Sequence, residues 1–260
     1  MFDINLLLLP LLGFLIGLFV TTLSGGGGVF YVPVLTLLFN VPTQLAVATS
    51  LASVLPTTAM GSLSHHRLGN VDIRTGLILG IGGIIGAFIG AYIANMLPPI
   101  ILRKIFGVFL LILTVPMVLN ALKRHKKSGT DKKEPSRLTG SKQAIGSLFG
   151  VLSGILAGLF GISGTPPVTA GLYILGLPAM VVVGTSIFVL IFNSISGMTG
   201  YFLLGQFDPT LIILLGGGGA LGAFIAPKLL KKIDEKTLEK IYAPLLVTMN
   251  IILSFAMILG

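Results

Sequence analysis

Two strings in this chain place unusual backbone freedom inside apolar sequence: Ser24-Gly25-Gly26-Gly27-Gly28, and Gly161-Ile162-Ser163-Gly164-Thr165 followed by Pro166-Pro167. In a bilayer, unpaired N–H and C=O groups persist only where protein buries them or a wet cavity reaches them. A glycine-rich break between two half-helices aims the N–H groups of the next helix start at the membrane centre, where they and the helix dipole favour an anion. Polar groups at helical spacing follow each break. Thr49, Ser53 and Thr57 step by four residues with Ser50 beside Thr49, and Thr185, Ser186 and Asn193 lie on a comparable face further along. Such hydroxyl and amide donors replace water around an oxyanion. The plain alternative is a hydrogen bond to the backbone one turn earlier, common for Ser and Thr in membrane helices. The candidate binding set is therefore Ser24, Gly25, Gly26, Gly27, Gly28, Thr49, Ser50, Thr57, Gly161, Ser163, Gly164, Thr165, Thr185, Ser186 and Asn193.

Other chemistries fit poorly. Gly161-Ile162-Ser163-Gly164 is also a G-x-S-G string of the kind carried by rhomboid-type intramembrane serine proteases, but a serine nucleophile needs a positioned base. The only histidines, His65, His66 and His125, stand in polar basic loops, and Gly27 occupies the repeat position of Ser163. No Gly-Lys-Ser/Thr follows Gly25 to Gly28, so they form no Walker loop. Cysteine is absent, which removes thiol nucleophiles, disulfides and Cys metal sites. The expectation is a protein that is not an enzyme and needs neither metal nor cofactor.

The elements that position these residues follow from composition. The chain has 260 residues, 54% hydrophobic and 10% charged, with a mean hydropathy of +1.02, against about 25% charged in an average soluble domain. A soluble globule is excluded. No Asp, Glu, Lys or Arg occurs in residues 4–66, 75–102, 105–122, 143–207, 209–227 or 241–260. At roughly 20 apolar residues per crossing, the chain suffices for about eight to ten. The net charge of +9 sits in loops between apolar segments, where it sets topology and does not bespeak nucleic acid. Met1-Phe2-Asp3 offers no positive n-region, so the start reads as a retained first helix.

The chain also repeats itself at an offset of 136 residues: Gly25 and Gly28 match Gly161 and Gly164, Pro42 matches Pro178, and Thr49-Ser50 matches Thr185-Ser186. Leu68-Gly69-Asn70-Val71-Asp72 matches Leu204-Gly205-Gln206-Phe207-Asp208, and Gly80, Gly82, Gly83 and Gly86 fall on Gly216, Gly218, Gly219 and Gly222. These later glycines, with Gly217 among them, read as helix-packing positions. Each half has a first segment (4–23; 143–160), the break, a segment too short to span (29–40; 168–176), and three full helices (43–64, 75–97, 105–122; 179–203, 211–230, 241–259). If each half crosses the membrane an odd number of times, all but Arg103 and Lys104 of the seventeen Lys and Arg residues share one side. The positive-inside rule favours that arrangement, and inverted repeats mark many secondary transporters. Asp72 and Asp208 read as helix caps.

Ser24-Gly25-Gly26-Gly27-Gly28 with Val32-Pro33, Val41-Pro42, Ala46-Val47-Ala48-Thr49-Ser50 and Leu68-Gly69-Asn70-Val71-Asp72, each echoed in the second half, resembles the sulfite exporter TauE/SafE family of membrane transporters. The resemblance spans almost the whole chain and implies a secondary transporter for sulfur oxyanions or organosulfonates, often an exporter. The second break departs from the usual glycine-rich pattern with Ile162, Ser163, Thr165, Pro166 and Pro167, so the two anion cradles differ chemically.

The expected fold is an all-α polytopic membrane protein of two inverted-topology repeats, each with a Gly-broken first helix or re-entrant element plus three full transmembrane helices. Residues 1–122 form the first repeat, 123–141 a basic cytoplasmic linker and 142–260 the second repeat, in the cell (inner) membrane. The expected function is export of a small anion, sulfite or an organosulfonate, by alternating access; a passive anion channel is the alternative. The expected partners are that anion and the lipid bilayer, with no nucleic acid. Oligomeric state is left open.

Overall fold

The computed structural model describes residues 8–20, 27–124, 140–162, 164–230 and 235–260, and every regular element among them is a helix. The first half contains α1 (Leu8–Val20), α2 (Gly28–Pro33) continued by a π-helical turn (Val34–Leu38), α3 (Thr43–Arg67), α4 (Ile73–Met96) and α5 (Pro99–Arg124). The second contains α6 (Gly140–Phe160), α7 (Thr165–Ile174), α8 (Ala179–Leu203), α9 (Pro209–Leu230) and α10 (Glu235–Leu259). The expected series thus appears twice, with α2 and α7 too short to span. By length and composition α3, α4 and α8 are able to cross a membrane on their own. Helices α5 and α6 run into the expected linker at both ends, and its central residues, 125–139, lie outside the described ones.

The Leu-Gly-x-x-Asp repeat is explained by what it does at two equivalent turns. Gly69 (φ 72°) and Gly205 (φ 74°) take the left-handed conformation that ends a helix, and the next residue reaches back, Asn70 N–H to His65 O at 2.9 Å and Gln206 N–H to Tyr201 O at 2.9 Å. This is the Schellman closure, for which glycine has no Cβ penalty. The following aspartate opens the next helix. Asp72 accepts from Thr75 N–H at 3.1 Å and from Thr75 Oγ1 at 2.8 Å, and Asp208 accepts from Thr210 N–H at 2.8 Å. The capping roles expected of both aspartates are thus met. Proline marks other starts, at the head of α5 and α9 and just inside α7, where its missing N–H costs nothing.

The largest seams exchange elements between the halves: α1 packs on α9, and α4 on α6. A methyl on Gly82, Gly86 or Gly90 of α4 would strike the main chain of Ser147, Val151 and Ile155 of α6, and one on Gly218 or Gly222 of α9 would strike that of Pro10 and Phe14 of α1. Both seams are therefore parallel contacts of backbone on backbone, possible only with small residues. Gly13 and Gly17 occupy in α1 the places of Gly150 and Gly154 in α6, so before the breaks the repeat offset is one residue longer than after them. The packing reading of these glycines holds, except that Gly217 faces open space. Equivalent helices α3 and α8 cross antiparallel, with Gly61 against Ile187, Gly197 against Leu51 and Gly184 against the Cβ of His65. Ile81, Ile112, Ile213, Leu221 and Phe224 remain exposed, the outward apolar surface of a lipid-facing bundle.

Candidate functional site

The two breaks meet in the interior. Gly27 (φ 73°) precedes α2 and its carbonyl accepts from Phe30 N–H at 2.9 Å; Gly161 (φ 67°) ends α6 and Gly164 (φ 74°) precedes α7. Gly28 lies so close to the second break that a Cβ there would collide with the Gly161 carbonyl and come within 2.7 Å of Ile162 Cα. Helix α3 ties this junction together. Ser50 Oγ donates to Gly161 O at 2.9 Å. On the far side of α7's start, Asn193 Nδ2 donates to Ser153 Oγ at 2.8 Å, and Ser153 Oγ donates to Gly164 O at 2.7 Å.

The polar groups divide into those already committed and those held in reserve. Thr57 Oγ1 donates to Val54 O at 2.6 Å and Ser186 Oγ to Val182 O at 2.6 Å, the backbone bond one turn earlier. Thr185 Oγ1 accepts from Asp72 N–H at 2.9 Å, which fixes the start of α4. By contrast Thr49 and Ser53, both 0% exposed, keep Oγ1 and Oγ buried without a hydrogen-bond partner among the described residues. Thr165 Oγ1, in the first turn of α7, is in the same condition. A buried polar group without a partner costs about 1–3 kcal/mol. Two of these hydroxyls are on α3 and one is in the first turn of α7, and each has a hydrogen free to donate.

Ser24, Gly25, Gly26 and Ser163 lie outside the described residues. The structure brings Gly27, Gly28, Ser50, Gly161, Gly164 and Asn193 into one junction, while Thr57, Thr185 and Ser186 serve helix geometry instead. Ser153 was not singled out from the sequence. Its place in α1 is taken by Ile16, so the repeat held no signal for it. Ser194, 0% exposed and also without a hydrogen-bond partner among the described residues, carries no sequence signal either.

Gly-broken helical elements that meet within an apolar-surfaced bundle are an arrangement found in many membrane transporters. The family model for the sulfite exporter TauE/SafE proteins matches residues 9–253, and the chain belongs to that family. It is 31% identical to "Probable membrane transporter protein YdhB" of Bacillus subtilis (strain 168), across 85% of this chain and 89% of that protein. It is 29% identical to "Probable membrane transporter protein YunE" of the same strain, across 91% and 93%. A protein of Methanocaldococcus jannaschii, "Probable membrane transporter protein MJ0441", is 31% identical across 75% and 73%. No solved structure matches the chain.

Proposed function

We propose that the protein exports a small sulfur anion, sulfite or an organosulfonate, across the cell (inner) membrane by alternating access between two inverted halves. The carrying observation is the contact of Gly28 with Gly161, tied to α3 by Ser50; the hydroxyls of Thr49 and Ser53 on the same helix and of Thr165 in the first turn of α7 have no partner among the described residues. The anion lies between the first N–H groups of α2 and the Thr165 N–H at the start of α7, since Pro166 and Pro167 carry none; these supply partial positive charge without a titrating side chain, and the hydroxyls complete its shell. Gly27, Gly28, Gly161 and Gly164 keep side chains out of its way, with Ser24, Gly25, Gly26 and Ser163 completing the cradles. Ser50 and Asn193 hold the second cradle in shape. Movement of one broken element against the other opens the site to either side in turn.

The antiparallel crossing of α3 and α8, and the exchanged parallel seams, support inverted repeats joined by a cytoplasmic linker. With no native cysteine, single cysteines at His66 and Gln206 test this on intact cells with an impermeant thiol reagent. Gln206→Cys is expected to label and His66→Cys to stay unlabelled; labelling of both from outside sinks the inversion.

Flux in liposomes of purified protein, with sulfite, sulfoacetate, thiosulfate, sulfate and acetate, tests the function itself. Accumulation of sulfite or sulfoacetate against its own gradient is expected, driven by an imposed ion gradient; equilibration without accumulation indicates a channel. Proton linkage has its carrier in the substrate, because sulfite titrates near neutrality and the two aspartates are engaged as caps. Asp72→Asn with Asp208→Asn, which preserves capping oxygens, is expected to keep the pH profile of flux. A flattened profile would assign the proton to those carboxylates.

A further inference from the structure

Apart from the central junction, a cavity of about 160 Å³ opens where the π-helical turn after α2 meets the starts of α3 and α5, lined by Thr36, Asn40, Thr43, Pro99, Ile100 and Arg103 among others. It has room for an oxyanion and several waters, since about 30 Å³ of liquid belongs to one water. Two helices of 25 and 26 residues begin there, and the first N–H groups of a helix have no acceptor within it. Ile101 and Leu102 donate back to Pro98 O, at 2.9 and 3.0 Å. Thr43 Oγ1 donates to Pro99 O at 3.1 Å and holds the two starts together. Arg103 lies one turn into α5, and its Nε is buried without a hydrogen-bond partner among the described residues. No lining residue is acidic.

The repeat carries different chemistry at the equivalent positions of the second half. At the offset of 136 residues, Asn40 (φ 52°) corresponds to Gly176 (φ 84°), which keeps the left-handed turn but drops the amide. Arg103 corresponds to Glu239, a charge of the opposite sign. In the first half a guanidinium thus stands beside the starts of α3 and α5, where the sequence of the second half has a carboxylate. We propose that this cavity is a second anion site, a vestibule that takes a small sulfur oxyanion in passage between the central site and water. The proposal rests on the transporter reading for the identity of the anion, and on Arg103 and the helix starts for its existence.

The test uses the wild-type protein in discs of neutral phosphatidylcholine, with phenylglyoxal as a permeant arginine reagent and peptide mass spectrometry as readout. Because bisulfite also consumes phenylglyoxal, the readout is the ratio of Arg103 to the exposed Arg67 modified in the same sample, which sulfite is expected to lower at least about fivefold relative to gluconate at equal ionic strength. The same protection is expected in Thr49→Val with Ser53→Ala, so failure of the central site is distinguishable from failure of this one. Arg103→Gln is expected to raise the sulfite concentration for half-maximal flux about tenfold, the loss of one charge-assisted hydrogen bond. An unchanged ratio of Arg103 to Arg67 modification with and without sulfite overturns the proposal. So does protection that sulfite does not give but phosphatidylglycerol discs do, which would assign the cavity to a lipid phosphate.

Discussion

Gly28→Ala is expected to leave the protein folded in the membrane and to cut anion flux about a hundredfold or more. The added Cβ would meet the Gly161 carbonyl and Ile162 Cα, main-chain atoms that cannot rotate aside as a side-chain tip does. Overpacking of this kind costs about 1–3 kcal/mol, tolerable for a bundle held by two long glycine seams elsewhere. The cost to transport is larger because the two breaks must approach to enclose the anion, and a displacement of about 1 Å at a reacting site is enough for about a hundredfold. Gly217→Ala is the matched control. Nothing lies within 4 Å of the position a Cβ would take there, and alanine favours the helix by about 1 kcal/mol. Initial flux in proteoliposomes at matched protein content, with helical content and thermal unfolding measured in parallel, checks the pair. Wild-type flux in Gly28→Ala would remove the breaks from the transport path.

Thr49→Val combined with Ser53→Ala is expected to separate stability from function in the other direction. Both hydroxyls are buried with no partner among the described residues, so their removal relieves a desolvation cost instead of breaking a bond, and thermal stability is expected to hold or rise. Flux is expected to fall about tenfold to a hundredfold for each hydroxyl, since a hydrogen bond to a charged group contributes about 1.5–3 kcal/mol and about 1.4 kcal/mol is a tenfold change. Ser50→Ala should do the opposite. It removes the bond to Gly161 O and is expected to lower stability by about 1 kcal/mol, with flux reduced only as far as the second break loosens. A double variant that is less stable yet transports normally would show that Thr49 and Ser53 are core residues without a role in binding.

The linear sequence determined the helical class, the apolar segments, both breaks, the duplication and the caps at Asp72 and Asp208. Each rests on local physics: uninterrupted apolar runs of membrane length, glycine where the backbone must turn left-handed, aspartate where helix N–H groups need an acceptor. Tertiary structure alone decided which hydroxyls are in reserve. Thr49 and Thr185 are repeat mates with the same sequence neighbour, yet Thr185 receives the N–H of Asp72 at the cap of α4 while Thr49 has no partner among the described residues. Whether a hydroxyl is satisfied depends on which backbone a distant helix brings to it. Ser153 was invisible for the same reason, since its two partners, Asn193 and Gly164, reach it only when α6, α7 and α8 pack together. The glycine stripes of α4 and α9 declared close packing in sequence. Their partners on α6 and α1 were fixed only by folding, because any helix with a matching row of small residues satisfies such a stripe.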